Sequence, residues 1–207
     1  MQTQIAQLFN EMEKFAQENH VPIINENGRK IFIEIIQKYR PQKILEIGTA
    51  IGYSALLTAH YSNQPNTQIK SLELSPERAA LAQEFIDKSP YAKQIEIILG
   101  DASANLLTLN PDDKYDMIFI DAAKGQYPDY LTKIMPYLAP KSIILADNVL
   151  FRGYVKSTEK PPRRYKTIVK RLRQYLTMLE TNPNFTTTIY ENGDGLALSV
   201  KNENTTK

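Results

Sequence analysis

The feature that most limits the fold of this chain is a regular alternation of short apolar runs with helical stretches after residue 40. The runs that predict strands are Lys43–Ile47, Gln68–Glu73, Gln94–Leu99, Tyr115–Ile120 and Ser142–Ala146. The stretches that predict helices between them are Tyr53–Tyr61, Pro76–Lys88, Ala102–Leu107 and about Pro128–Tyr137. Apolar strands that alternate with helices indicate a parallel sheet that is covered on both faces.

The two ends of the chain depart from this alternation. Apolar residues at helical spacing predict amphipathic helices over residues 3–18 and about Asn27–Tyr39. A long basic helix is predicted over Arg163–Thr181, followed by apolar runs at Phe185–Tyr190 and Gly195–Val200. An Asn-Gly pair between these two runs is typical of an antiparallel hairpin. The pattern therefore predicts a Rossmann-like, doubly wound α/β sheet, mostly parallel, with a C-terminal antiparallel hairpin.

Length and composition place the chain among soluble, single-domain proteins. With 207 residues we expect one domain, divided into N-terminal helices (1–40), an α/β core (41–201) and a flexible tail (202–207). The chain has no Cys and only two His, which excludes disulfides, cysteine nucleophiles and multi-histidine metal sites. No basic head leads into an apolar stretch at the N-terminus, and no run is long enough for a membrane span. We therefore expect a cytoplasmic protein.

The charge of the chain is unevenly distributed. The formal net charge is +2, yet residues 152–173 contain nine basic residues and a single acid, Glu159. Basic charge that is concentrated on an otherwise acidic chain suggests a polyanionic partner such as nucleic acid. The alternative is a solvated helix face without a partner.

The first three predicted strands each end in a residue that suits a nucleoside ligand. Gly48 opens a glycine-containing loop after the first strand, Glu73 ends the second and Asp101 follows the third. An acid at the end of the second strand suits hydrogen bonds to ribose hydroxyls, and ligands of open α/β sheets bind at the carboxyl ends of the strands. A tight turn and helix caps are the alternatives for these residues.

The fourth and fifth predicted strands end in oxygen donors. Asp121 follows the fourth, and Asp147 and Asn148 follow the fifth. Oxygen ligands without His or Cys favour Mg²⁺, although Ca²⁺ and Mn²⁺ also suit them, and structural caps are the alternative. Lys124 lies three residues beyond Asp121 and is either a general base or a surface lysine at a helix start.

These segments together resemble the class I S-adenosylmethionine (SAM)-dependent methyltransferases, and specifically the small metal-dependent O-methyltransferases that include the catechol and caffeoyl-CoA enzymes. The segments that carry the resemblance are LEIGTAIGYSA, LEL at 72–74, GDA at 100–102, FIDAAKGQY at 119–127 and ADNVLFRG at 146–153. Within this family, HVPII, DNVLFRG and the closing NGDGLALS are most similar to the bacterial enzymes that methylate 5-hydroxyuridine in tRNA.

The resemblance implies a role for particular residues of this chain. It implies a SAM site formed by Ile24, Gly48, Ser54, Glu73, Asp101, Ala102 and Asp121. It implies Mg²⁺ ligands at Asp121, Asp147 and Asn148, with Lys124 as the general base beside Asp121. It also suggests a homodimer.

The acceptor is a separate question, and three hypotheses stand. The first is methylation of 5-hydroxyuridine at the wobble position of the tRNA anticodon loop, where phosphates would meet Arg152, Lys156, Arg163, Arg164 and Lys166. On this hypothesis Tyr127, Phe151 and Tyr154 are candidates to stack on the base, packing against the cleft wall being the alternative. The second is a catechol-type enzyme that acts on a small molecule, and the third is a non-catalytic RNA-binding protein on the same fold.

Overall fold

The computed structural model describes residues 2–203, and the chain divides into two compact units, Met1–Asn105 and Leu106–Lys207. The first unit opens with two helices, α1 (Gln2–Glu18) and α2 (Glu26–Tyr39). The apolar stripe of α1 packs inside this unit, where the Phe15 and Phe85 rings meet edge to face at 5.6 Å.

The sheet of the first unit has three parallel strands. They are β1 (Lys43–Ile47), β2 (Gln68–Glu73) and β3 (Ile95–Leu99), and β2 lies in the middle. The helices α3 (Tyr53–Tyr61), α4 (Pro76–Asp87) and the short α5 (Ala102–Asn105) alternate with these strands. Ser75 caps α4 as its position before a proline predicts, because its Oγ accepts the Arg78 N–H at 3.3 Å. The register brings the carboxyl ends of the three strands to the same edge.

The second unit holds the remaining strands in the order β4, β5, β7, β6. Its strands are β4 (Tyr115–Ile120), β5 (Leu138–Asp147), β6 (Phe185–Tyr190) and β7 (Leu196–Lys201), and its helices are α6 (Tyr127–Ile134) and α7 (Lys166–Glu180). β4 and β5 pair in parallel, whereas β7 runs antiparallel to both β5 and β6. The buried face of α7 carries Val169, Leu172, Tyr175, Leu176 and Leu179. This spacing of three and four residues leaves the basic side chains of α7 on the opposite, exposed face.

The predicted fold class is confirmed: seven strands, mostly parallel, with helices between them and an antiparallel hairpin at the end. The differences lie at the ends of elements. β5 begins four residues before the predicted start, in a segment where Pro140 is typical of a turn. α6 gives way to a 3₁₀ turn at Met135–Tyr137, because Pro136 has no N–H with which to continue the helix. Ile31, one of the apolar residues whose helical spacing predicts the buried face of α2, is only half-buried.

Among residues 2–203, none of the helices combines the length and the apolar character that crossing a bilayer requires. Asn202, placed by the sequence in a flexible tail, donates its N–H to the Asn184 carbonyl at 2.7 Å. The rest of that predicted tail, residues 204–207, lies outside the described residues.

Candidate active-site residues

The loop after β1 is the first part of the site. The Gly48 N–H donates to the Leu72 carbonyl at 2.9 Å, which ties the start of the loop to the end of β2. Gly48 has φ 94°, in the left-handed region that favours glycine. Gly52 ends the loop and directly precedes α3. Its carbonyl accepts the Leu56 N–H at 3.0 Å.

A buried carboxylate beneath this loop holds three hydroxyl groups. Glu46 is 2% exposed on β1, and its Oε2 accepts hydrogen bonds from Thr49 at 2.9 Å and from Ser71 on β2. Its Oε1 accepts the Ser54 hydroxyl at 2.5 Å. Glu46 therefore joins β1, the loop, the start of α3 and β2 through one side chain.

Glu46 is a residue that sequence reasoning missed, although it lies inside a segment that carries the family resemblance. The sequence signal that could have identified it is a charged residue in the middle of an apolar strand. A carboxylate that is buried there needs hydrogen-bond donors close by.

Glu73 also binds the glycine loop. Its Oε2 accepts the Ala50 N–H at 2.9 Å and its Oε1 accepts the Ser75 N–H at 3.0 Å. The carboxylate is 6% exposed at the end of β2. Each oxygen can accept a second hydrogen bond, so the predicted contact with a ribose stays open to it.

The predicted residues after β3 divide into an exposed acid and a buried alanine. Asp101 caps α5, because its Oδ1 accepts the Ala104 N–H at 2.9 Å, whereas Ala102 is buried. The helix-cap alternative therefore holds for Asp101, whose exposed side chain also leaves its predicted contact with a nucleoside ligand available. Two large apolar side chains at these strand ends are unusually exposed, Leu74 at 67% and Leu99 at 53%. They were not predicted as site residues, and they offer an apolar surface of the kind that a flat base covers.

The two remaining predicted cofactor residues of this unit are buried. Ile24 is 6% exposed, and Ser54 is 8% exposed with its hydroxyl donated to Glu46. Tyr53, next to Ser54, donates its hydroxyl to Glu13 of α1 at 2.5 Å and accepts from Arg29 of α2 at 2.7 Å. Burial, and then the bond to Glu13, raise the pKa of Tyr53. The start of α3 is thus fixed to both N-terminal helices.

In the second unit, a buried tyrosine joins the ends of β4 and β5. The Tyr127 hydroxyl lies 3.2 Å from the Ile120 carbonyl and 2.9 Å from the Asp147 carbonyl. Its side chain is fully buried, with an exposed fraction of 0%. The prediction that Tyr127 stacks on a substrate base is therefore wrong, and its alternative, packing in the wall, is correct, because the ring lies inside the fold.

The acids that follow these strands act on each other electrostatically. Burial, and then the charge of Asp121, raise the pKa of Asp147 from 3.8 to about 7. The Asn148 N–H, which donates to Asp147 Oδ1 at 2.8 Å, and the charge of Lys124 only partly oppose this shift. The ionised form of the Asp147 carboxylate at the end of β5 is therefore destabilised by its surroundings.

Lys124 lies beside Asp121 as the sequence spacing predicts. Its Nζ is 2.6 Å from Asp121 Oδ1, and the two side chains are 18% and 24% exposed. The ammonium group also lies 5.8 Å from the centre of the Tyr127 ring. Lys124 is thus held at the end of β4 and is not a freely solvated surface lysine.

The donor set at these strand ends fits a hard divalent cation. Asp121 and Asp147 supply two carboxylates, and the raised pKa of Asp147 is relieved by any positive charge placed between them. Throughout the described part of the chain, no group of three or more His, Cys, Asp or Glu side chains could hold a metal. A cation here would take its further ligands from Asn148, water or substrate, which is the usual habit of Mg²⁺.

The basic segment after β5 begins within the second unit, four residues past Asn148. Arg152 and Arg164 lie over the Tyr165 ring, with guanidinium carbons 5.5 Å and 4.6 Å from its centre. The Phe151 and Tyr154 rings, both half-buried, lie 5.2 Å and 5.8 Å from the Tyr165 ring. Tyr165, which organises this cluster, was not among the residues that the sequence predicted for the site.

The cations of this segment are not equivalent. Arg163, Arg164 and Lys166 are exposed, whereas exposed Lys156 pairs with Glu191. Arg173 donates to the carbonyls of Tyr154, Val155 and Ser157 at distances of 2.7 to 2.9 Å. Arg173 therefore fastens α7 to the loop that precedes it.

Comparisons with known proteins place this α/β fold, with its glycine loop and strand-end acids, among the SAM-dependent methyltransferases. The chain is 31% identical to a Staphylococcus aureus protein provisionally named caffeoyl-CoA O-methyltransferase, with a TM-score of 0.85 over 94% of this chain and 92% of that one. It is 25% identical to TomG of Streptomyces achromogenes, solved with SAM, with a TM-score of 0.83 over 94% of this chain and 89% of that one.

The family follows from the sequence match. Residues 2–202 match the O-methyltransferase family model, and catechol O-methyltransferase of Niastella koreensis is 32% identical over 187 residues, 86% of this chain and 81% of that protein. The chain belongs to the O-methyltransferase family and transfers a methyl group from SAM to an oxygen atom.

Proposed function

We propose that this chain is a Mg²⁺-dependent tRNA methyltransferase that converts 5-hydroxyuridine at the wobble position to 5-methoxyuridine. The observation that carries the proposal is the exposed cationic segment that begins four residues after Asn148. A small phenol has no use for so many cations, whereas phosphate contacts dominate the affinity of proteins for RNA.

The chemistry is a displacement at the methyl carbon of SAM. A lone pair of the acceptor oxygen forms the new C–O bond, the C–S bond breaks, and S-adenosylhomocysteine leaves with that electron pair. Lys124, whose Nζ lies 2.6 Å from Asp121 Oδ1, is the group that we propose accepts the hydroxyl proton, and it does so in its neutral amine form. Asp121, Asp147 and Asn148 would hold Mg²⁺, whose charge would stabilise the deprotonated acceptor.

One feature of the acceptor and one of the chain agree with this chemistry. The 5-hydroxyl and 4-carbonyl oxygens of 5-hydroxyuridine are adjacent, as are the two oxygens of a catechol, so a site for one accommodates the other. The absence of Cys also matters, since methylation of C5 of uracil usually begins with a cysteine adding to the ring. O-methylation fits this chain, and C-methylation does not.

The RNA contacts we propose are Arg152, Lys156, Arg163, Arg164 and Lys166. Arg152 and Arg164 lie against Tyr165, so that their planes are already oriented for a phosphate or a base. Phe151 and Tyr154 beside them remain the candidates for stacking on an extruded base. We also propose a homodimer, for which the family resemblance is the support, and a cytoplasmic location, as the sequence leads us to expect.

A second candidate function is O-methylation of a small catechol. The observation that favours it is the naming of several relatives, among them the catechol O-methyltransferases of Niastella koreensis and Sus scrofa. Both candidates use the same strand-end residues, so only the acceptor distinguishes them.

The test incubates the purified protein with SAM, Mg²⁺ and one of three acceptors: tRNA that carries 5-hydroxyuridine, tRNA that lacks it, and a catechol. Mass spectrometry of the nucleosides should show 5-methoxyuridine only with the hydroxylated tRNA, and EDTA should abolish it. Methylated catechol beside unchanged tRNA would establish the second candidate. Absence of turnover on all three would favour a non-catalytic RNA-binding protein.

A paired variant separates RNA binding from chemistry. Arg163→Ala/Arg164→Ala should weaken tRNA binding and lower the slope of log affinity against log salt by up to about 0.7 for each phosphate that the variant no longer neutralises. Arg78→Ala removes an exposed arginine from α4 and is the control. An equal loss of affinity for the control, or an unchanged slope, would contradict the assignment of these arginines to the RNA.

A further inference from the structure

The segment that follows β5 has an unusual backbone. Asn148, Phe151 and Arg152 have φ angles of 56°, 41° and 56°, and Gly153 has a φ of 77°. Three residues other than glycine in the left-handed region within five positions form a strained segment that its surroundings must hold in place. The segment contains both the predicted metal ligand Asn148 and the first cation of the basic surface, Arg152.

The turn between β6 and β7 makes the contacts that hold this segment. The Val149 N–H donates to the Gly195 carbonyl at 3.0 Å, and the Leu150 N–H donates to the Asp194 carbonyl at 2.8 Å. The Arg152 N–H donates to the Asp194 carboxylate, Oδ1, at 3.0 Å. Three backbone amides of the strained segment therefore donate hydrogen bonds to two consecutive residues of the turn, Asp194 and Gly195.

Gly195 fits against the same segment with no room for a side chain. A Cβ on Gly195 would lie 2.4 Å from Leu150 Cγ and 2.8 Å from Leu150 Cδ1, and the φ of Gly195 is 81°. The turn is also longer than closing the hairpin requires. The last strand pair is Tyr190 with Leu196, which leaves five residues between them, whereas an Asn-Gly pair alone can close a hairpin.

We propose that Asp194 and Gly195 are positioning residues, which fix the backbone from Asn148 to Arg152 and thereby set the metal ligand and the first RNA-binding cation together. The inference rests on the proposed function, because it takes Asn148 as a metal ligand. Asp194 acts through the amide of Arg152, and Gly195 through its close contact with Leu150. Neither residue touches the reacting atoms.

Asp194 is tested with Mn²⁺ as the probe, measured by calorimetry on the whole protein without acceptor. Asp194→Ala should weaken Mn²⁺ binding about 10-fold or more, in the range of other residues that support metal ligands. Asp194→Asn should restore most of the affinity, because its amide oxygen still accepts the Arg152 N–H. Glu159→Gln removes an exposed negative charge from the segment between β5 and α7 and should change the affinity less than about 2-fold.

The outcomes separate this inference from the proposed function. If the wild type binds no Mn²⁺ and Asp147→Asn behaves identically, the metal site fails and the inference falls with it. If the wild type binds Mn²⁺ and Asp194→Ala binds it equally well, only the inference is overturned. If Asp194→Asn is as impaired as Asp194→Ala, the effect is one of charge, and positioning is overturned.

Gly195 is tested by a double substitution, since Gly195→Ala alone can simply unfold the turn. Gly195→Ala should weaken Mn²⁺ binding and speed amide hydrogen exchange in the peptide that spans 148–156. Adding Leu150→Ala removes the Cγ and Cδ1 atoms that collide with the new Cβ and should recover part of both losses. Strictly additive losses, or a Gly195→Ala variant identical to the wild type, would overturn the role of this contact.

Discussion

Two acids of the first unit, Glu46 and Glu73, and two of the second, Asp121 and Asp147, are held in opposite ways. Glu46 and Glu73 accept hydrogen bonds from hydroxyls and backbone amides, so the partners of each buried carboxylate are already present. In the second unit, Asp147 is buried near Asp121, and the two negative charges disfavour each other. The first arrangement is stable without a ligand, whereas the second is completed by positive charge.

This difference shows what each region is suited to bind. A loop that is held rigid by internal hydrogen bonds suits an organic ligand, because little order has to be created when the ligand arrives. A pair of opposed carboxylates suits a cation, because binding then removes a repulsion as well as creating an attraction. Three substitutions and one change of pH would test this contrast.

The largest effect is expected from Asp147→Asn, which removes one of the opposed charges. The turnover of the variant should fall by about 10³-fold or more, since metal ions supply several kcal/mol of charge stabilisation in such reactions. SAM affinity, measured by calorimetry, should change little, and Asp112→Asn is the exposed control. Near-normal turnover would contradict a role of the Asp121 and Asp147 carboxylates in holding a catalytic metal ion.

A smaller effect is expected from Lys124→Gln. Loss of a general base typically costs about 10²-fold in kcat or more, and we expect a fall of about 100-fold. Affinity for Mn²⁺ should hold or rise, because the Lys124 ammonium no longer occupies Asp121 Oδ1. Lys133→Gln, whose lysine pairs with Asp129 on α6, is the matched control. A loss of Mn²⁺ binding equal to the loss of turnover would show that Lys124 only supports the metal.

Glu46→Gln tests the first unit. An amide oxygen can replace one acceptor, but its NH₂ group faces hydroxyl donors, so we expect about 1–3 kcal/mol of lost stability. The KM for SAM should rise about 10-fold as the loop loosens, with a smaller change in kcat. Glu34→Gln, on the exposed part of α2, should leave both unchanged. A fall in kcat without a change in the KM for SAM would contradict a role of Glu46 in holding the loop.

The smallest effect concerns the pH dependence of stability in metal-free protein. The folded chain raises the pKa of Asp147 from 3.8 to about 7, so folding favours the protonated form. That contribution is complete below the unfolded pKa and is lost as the pH rises through about 7. Between pH 6 and 8 the Tm of the wild type should fall more than that of Asp147→Asn, by about 2–4 °C for each kcal/mol that burial and the charge of Asp121 together cost the ionised Asp147. Parallel Tm curves for the two proteins would contradict this cost.

Much of this contrast follows from the sequence, because the carboxyl ends of parallel strands share one edge. That rule brings Glu73 and Asp101 to the strand ends of one unit, and Asp121 and Asp147 to those of the other. It says nothing about which partner each acid meets. The hydroxyls around Glu46 come from three separate elements and meet only when β1 and β2 pair.

Other features could not be predicted because they depend on packing. The sequence does not distinguish an aromatic ring that stacks on a ligand from one that fills a core, and so both alternatives stayed open for Tyr127. It does not show that Arg173 binds carbonyls while its basic neighbours face solvent. Nor does it reveal the left-handed backbone of Phe151 and Arg152, which neither residue type favours by itself.

The Tyr127 side chain links the ends of β4 and β5 in the second unit. Its hydroxyl touches the backbone at the ends of both β4 and β5, and burial keeps the phenol protonated by raising its pKa well above 10. β4 and β5 already pair side by side, and the Tyr127 hydroxyl adds one more link at the point where their pairing ends. Mg²⁺ demands a more regular arrangement of its oxygens than Ca²⁺ does. A firmly held pair of strand ends would therefore suit Mg²⁺ better than Ca²⁺.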